Sequence, residues 1–117
     1  MKITTESFGQ LLQQLRRASG ISQRALAEKV GVDFSYISKV ENDRLPPPAA
    51  DTIVKICAVL QTPPDKLLAL TGKMPTDLKT AVSSNPAALE FIREASEMGL
   101  TTDEWKHLTK RLKKLRS

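Results

Sequence analysis

A small residue and a glycine four positions apart constrain this chain more than any other feature: Ala27 and Gly31, set between Ser22 and Val40. Two helices cross closely at a steep angle only where the crossing residue is small, and Ala27 fills that role. The tight turn between them favours a residue tolerant of a left-handed backbone, which Gly31 supplies. Ser22 and Asp33 each precede an apolar-periodic segment and are good helix N-caps. Leu26, Ala27 and Val30 mark the inner face of the first helix of the pair, and Val32, Ile37 and Val40 seat the second on a core. The opposite face of the second helix is then exposed, rigidly held and free to enter the major groove of duplex DNA.

The rest of the chain reads as helix and turn. β-Branched residues nowhere alternate as they do in a strand, and there is no repeat or low-complexity segment. A first helix is expected from about Thr5 to Ser19, with Phe8, Leu11, Leu12 and Leu15 at helical spacing and Gly20 as its stop. Asn42-Asp43 closes the third helix, and Pro46-Pro47-Pro48 forbids its continuation. A fourth, about Ala50 to Leu60, puts Ile53, Ile56, Cys57 and Leu60 on one face. A fifth opens at Thr62-Pro63-Pro64-Asp65, with Thr62 as N-cap, Pro63 as first helical residue and Asp65 completing a capping box. It ends near Thr71-Gly72. These five short helices make a compact bundle over residues 1–72, and Gly72-Lys73-Met74-Pro75 reads as a hinge. Residues 73–117 carry a short helix over Thr76 to Val82, then one begun by Asn85-Pro86 and stopped by Gly99. The last helix has Thr101 as N-cap, Glu104 three residues on, and Leu100 placed to pack on Trp105 as a hydrophobic staple.

Composition serves mainly to exclude. A length of 117 residues, 40% of them hydrophobic and 26% charged, suits one domain or a small domain with an appendage. No apolar run spans a bilayer, and Met1-Lys2-Ile3-Thr4 does not open a secretory signal, so the expected location is the bacterial cytoplasm or nucleoid. A single cysteine, Cys57, forms no internal disulfide, which agrees with a reducing compartment. No Ser/His/Asp set, metal cluster or phosphate-binding glycine loop is visible, and His107 stands alone, so the chain is read as neither an enzyme nor a holder of metal or cofactor. The net charge of +5 and pI of about 9.6 permit a polyanionic partner.

At these residues the chain resembles the lambda-repressor/Cro-like, or XRE, family of helix-turn-helix regulators. The matching segments are Phe8-Gly9, Leu12, Leu15-Arg16, Gly20-Ile21-Ser22-Gln23, Leu26-Ala27, Gly31-Val32 and Ser35-Tyr36-Ile37-Ser38-Lys39-Val40-Glu41-Asn42. The match continues through Pro48, Thr52-Ile53, Lys55-Ile56-Cys57, Leu60 and Pro64-Asp65-Lys66-Leu67-Leu68. The resemblance implies an all-α chain: a five-helix lambda-repressor-like DNA-binding domain followed by a short helical C-terminal region. It makes the third helix the recognition helix. Phe34, Ser35 and Lys39 then fall where family members touch base edges, with Ser38 beside them. Lys39 is suited to guanine O6 and N7, and Phe34 to a thymine methyl. Gln23 matches a phosphate or outer-base position, reinforced by the free N–H groups and dipole of its helix. Ser22 and Asn42 match phosphate positions, Tyr36 packs or touches phosphate, and Arg44 is the basic residue remaining near the prolines. Arg16 and Glu41 match a structural salt bridge. Three departures stand out. Gln13 sits where many members have arginine, Asp43 replaces the usual glycine at some conformational cost, and the prolines replace a loop that often carries basic contacts. Phosphate contacts are therefore expected to be fewer and the salt dependence shallower.

Taken together, the expected function is sequence-specific regulation of transcription: a dimeric repressor on a palindromic operator in double-stranded DNA, reading through residues 33–42. Half-sites about 34 Å apart suit a two-fold dimer. The apolar set Phe91, Ile92, Leu100, Trp105, Leu108, Leu112 and Leu115 exceeds what two or three short helices bury, so these residues are read as a homodimer interface. A regulatory protein partner is the alternative, either a toxin bound by an antitoxin-type regulator or a metallopeptidase that cuts the tail. Lys106, Lys110, Arg111, Lys113, Lys114 and Arg116 are read mostly as the solvated face of the last helix, and Arg17 and Arg24 as solvated. Cys57 is read as a small core residue.

Overall fold

A computed structural model describes residues 6–117, and all regular structure among them is helical. The order is α1 (Phe8–Ala18), α2 (Gln23–Val30), α3 (Phe34–Glu41), α4 (Ala50–Leu60), α5 (Asp65–Thr71), α6 (Thr76–Ser83), α7 (Pro86–Met98) and α8 (Thr102–Lys114). The chain divides into two compact units, one running to Leu78 and the other Lys79–Ser117.

In the first unit each of α1 to α5 turns an apolar face inward. Phe8, Leu11 and Leu12 meet Leu26 and Ala27, Ile37 and Val40, Ile53, Ile56, Cys57 and Leu60, and Leu67 and Leu68. Leu12, Leu26 and Ile53 have no exposed surface, and each such side chain contributes about 1.5–3 kcal/mol by leaving water.

The start of α1 is set by Ser7, whose hydroxyl accepts from the Gln10 N–H at 3.1 Å while the Gln10 side chain accepts from the Ser7 N–H at 3.0 Å. That capping box falls inside the expected helix start near Thr5, a residue that lies outside those described. Gly9 has no room for a side chain, because a Cβ there collides with the carbonyl oxygens of Val40 and Glu41. The N-terminus of α1 thus rests directly on the end of α3.

The start of α5 differs from expectation. It begins at Asp65 with Pro64 in the cap position and no side-chain cap bond, rather than after Thr62. The preceding helix is the reason. Gln61 ends α4 in the left-handed conformation at φ 55°, and the Thr62 N–H bonds back to the Cys57 carbonyl at 3.0 Å. Thr62 is therefore used in closing α4.

The expected hinge at 72–75 is fastened to the first unit. Lys73 Nζ donates to the carbonyls of Pro47 and Pro48 at 3.3 and 3.0 Å, Pro75 is buried, and Thr76 donates through N and Oγ1 to the Asp51 carboxylate.

In the second unit, local signals define the helices. Asn85 caps α7 with Pro86 in its first turn, Gly99 stops it at φ 62°, and Thr101 and Glu104 form the capping box of α8. Packing is sparse, and Ala95 is the buried hydrophobic residue of this unit.

Candidate nucleic-acid interface

Two capped helices and one glycine build the interface. The Ser22 hydroxyl accepts from the Ala25 N–H at 3.0 Å and starts α2. Gly31 ends it at φ 87°, with its own N–H and that of Val32 both donating to the Ala27 carbonyl, at 2.9 and 3.0 Å. Asp33 occupies the N-cap position of α3, yet its side chain makes no cap bond, so the carboxylate expected as a cap stands free in solvent.

The orientation of α3 follows from what it buries. Ile37, Val40 and Glu41 point inward, and Tyr36 packs half-buried against the core. Phe34, Ser35 and Lys39 remain on the exposed side, with Ser38 intermediate. Helical period alone brings these side chains to one face.

A charged network fixes that face. Arg16 Nε donates to Glu41 Oε2 at 2.6 Å and Arg16 Nη2 to Glu41 Oε1 at 2.9 Å, while Arg16 Nη1 donates to the Ile21 carbonyl. Both side chains are buried, and the bond to Glu41 holds the Arg16 guanidinium above its ordinary pKa. The pair implied by the resemblance is therefore present, and it ties α1 to the last residue of α3. Gln23 joins it: its Nε2 donates to Glu41 Oε1 at 2.9 Å. The amide oxygen of Gln23 makes no bond to protein among the described residues.

The other expected DNA-contacting residues lie around this frame. The Asn42 side chain folds back onto the Ser38 carbonyl at 2.9 Å, and Arg44 is exposed beyond it. Sequence reasoning missed two residues. Asp43 sits at φ 59°, and its carboxylate accepts from Ser7 Oγ at 2.7 Å and from the Gly9 N–H at 3.2 Å. A negative group at the start of α1 is favourable for the helix dipole. Arg24, read as solvated, is exposed and also lies over the Phe34 ring, with its guanidinium carbon 4.4 Å from the ring centre. Its one sequence signal was its position next to Gln23.

Phe91, Ile92 and Trp105, Leu112 and Leu115 are exposed on α7 and α8, with Leu100 and Leu108 half-buried. Cys57 is enclosed, and burial pushes its thiol up to about 11, which removes it as a nucleophile near neutral pH. Among the described residues no group of His, Cys, Asp and Glu is arranged to hold a metal, and no helix is long and apolar enough to cross a membrane.

The family model for a helix-turn-helix domain matches residues 7–70. The HTH-type transcriptional regulator RghRB of Bacillus subtilis is 32% identical over 112 residues, 88% of this chain and 81% of that protein. The DNA-binding domain of the P22 C2 repressor, solved by nuclear magnetic resonance, is 30% identical with a TM-score of 0.51, covering 56% of this chain and 86% of that domain. A chain of the complex between the SinR and SinI proteins is 25% identical with a TM-score of 0.51, covering 91% of this chain and 94% of that one.

Proposed function

Because the chain belongs to the lambda-repressor/Cro-like (XRE) family of helix-turn-helix transcriptional regulators, we propose that it is a dimeric repressor that occupies a palindromic operator through α3. The family is one of DNA-binding regulators and is not enzymatic. The observation that carries the finer reading is the division of α3 into two faces. Ile37, Val40 and Glu41 are buried, while Phe34, Ser35 and Lys39 are exposed. A helix held this way presents its N-terminal side chains to a major groove. Lys39 addresses guanine O6 and N7, Phe34 a thymine methyl, and Ser35 and Ser38 neighbouring base edges or backbone. Ser22, Gln23, Asn42 and Arg44 approach phosphates, with the start of α2 adding its dipole. Tyr36 supports the helix from the core side.

Dimerisation is assigned to residues 73–117, through Phe91, Ile92, Leu100, Trp105, Leu108, Leu112 and Leu115. The support is the exposed apolar surface of α7 and α8, which a second copy would cover. Charge segregation along α8 favours an antiparallel pairing, with Asp103 and Glu104 in its first turn and Arg111, Lys113 and Lys114 in its last. The same surface serves a second reading, capture by a regulatory protein, favoured by the likeness to a chain solved with a protein partner.

Two measurements test this. Selection of duplex DNA from a random pool should enrich a palindrome with the full chain, and none when Phe34, Ser35 and Lys39 are all changed to alanine. Sedimentation should give a dimer for the full chain and a monomer for one ending at Leu78. A dimer in both sinks the assignment of the C-terminal region.

A further inference from the structure

Arg24 has no role in the operator contacts assigned to α3, yet it lies against Phe34. Phe34 is the first residue of α3 and, for a large aromatic side chain, is well exposed at 39%. Over its ring lies the guanidinium of Arg24, from the first turn of α2. Among the described residues Arg24 donates no hydrogen bond and joins no ion pair, although it is an arginine beside a folded helix pair. Its N–H groups are left over for an acceptor outside the protein.

We propose that Arg24 is a base-reading residue, which uses Phe34 as a platform and addresses a guanine adjacent to the thymine that the ring itself contacts. The inference rests on the operator-binding role of α3 proposed above. Its chemistry follows from geometry. Guanidinium groups stack on aromatic faces and at the same time offer a planar fork that matches guanine O6 and N7. A phosphate can also accept such a fork, but a phosphate contact carries no sequence preference, and that difference separates the two roles. Here the guanidinium lies against the ring in advance, so less side-chain freedom is lost when the fork engages. A ring pressed on a thymine methyl would carry with it the guanidinium that lies 4.4 Å from its centre, beside the same part of the groove. Phe34 lacks a hydrogen-bonding group, and Arg24 supplies one at the same point of entry into the groove.

Selection of duplex DNA by the full chain, followed by titration of single-base variants of the enriched site, tests the assignment. The intact chain should show a guanine next to a thymine, with replacement of that guanine weakening binding by about 5- to 150-fold. Arg24→Met keeps the length of the side chain and loses its donors, so the guanine preference should fall toward 1-fold while the thymine preference persists. Phe34→Leu keeps an apolar group for the methyl and removes the platform, so it should weaken the guanine preference and spare the thymine. If Arg24→Met leaves the guanine preference intact, or Arg24→Gln weakens all sequences equally and makes the salt dependence shallower, Arg24 does not read the base and the inference is overturned while operator binding stands. If the intact chain enriches no sequence, the operator reading falls and takes this inference with it.

Discussion

The two units of the chain obey the same helix rules and end in different physical situations. In the first, α1 to α5 share a closed core, and even a charged pair is accommodated inside it with its hydrogen bonds satisfied. In the second, α7 and α8 are the longest helices, at 13 residues each, and both are well capped. Yet Phe91, Met98, Trp105, Leu112 and Leu115 stay exposed, and Ala95 is the buried hydrophobic residue. Caps determine where a helix starts and stops; they do not give it anything to pack against. The first unit is complete as a single chain, whereas the second displays an apolar surface of the kind that marks an interaction site.

The largest effect that separates the units is expected at Glu41. Changing it to alanine leaves the buried Arg16 guanidinium without its carboxylate and should cost about 3–5 kcal/mol in denaturant unfolding of the first unit. It also releases Gln23, so any DNA binding that survives should weaken. A loss below about 1 kcal/mol would mean that the network is not buried in solution and that the contrast between the units is overstated. The next effect is at Asp43. Asp43→Ala removes the bonds to Ser7 and Gly9 and leaves a Cβ at positive φ, for a loss of about 1–3 kcal/mol by thermal melting. Asp43→Gly relieves the backbone and should lose less. Equal losses for the two would show that strain at φ 59° is negligible.

Asp43 also shows where sequence reading stops. Glycine is the residue expected there, and the aspartate looks like a tolerated defect. The structure shows what it does: its partners lie 36 and 34 residues back, at the start of α1. No periodicity connects positions so far apart. The same holds for Gln23 and Glu41, 18 residues apart and joined only once α2 and α3 are folded. Local signals were readable where they acted alone. Ser22, Gly31, Asn85, Gly99 and the Thr101–Glu104 box each lie where the sequence put them. Thr62 was misread because two adjacent helices compete for it, and the end of α4 takes it. Within the candidate interface, the exposed set Phe34, Ser35 and Lys39 followed from helical period. The stacking of Arg24 on Phe34 did not, since it needs the crossing geometry of two helices.

In the second unit the corresponding local experiment is Thr101→Ala. Loss of its bond to the Glu104 N–H, at 3.1 Å, should cost about 1 kcal/mol. With little core to resist, fraying should be confined to the start of α8 and visible as faster amide exchange over residues 102–105. Global melting of the first unit should not move. If it moves by as much as for Asp43→Ala, the units do not melt independently.

The smallest effect concerns the segment after Gly72, where sequence pattern and structure differ most. Asp51 lies in the first turn of α4 and accepts from the Thr76 N–H at 3.0 Å and from Thr76 Oγ1 at 2.7 Å. Those bonds, chiefly the one from the backbone, hold its carboxyl below the ordinary carboxylate range, with Lys55 adding a smaller pull. A carboxyl depressed on folding stabilises the fold at every pH above its unfolded value, and that contribution disappears as pH falls through the lowered folded value. The site is open to solvent, so the melting temperature of Asp51→Asn should barely change. The sharper readout is the Thr76 amide resonance. It should titrate at a pH below that of an unperturbed aspartate and lose that step in Asp51→Asn. A Thr76 amide insensitive to Asp51, or one titrating at the ordinary position, would mean that residues 72–76 are not tied to α4 in solution. They would then act as the hinge that their glycine and proline imply.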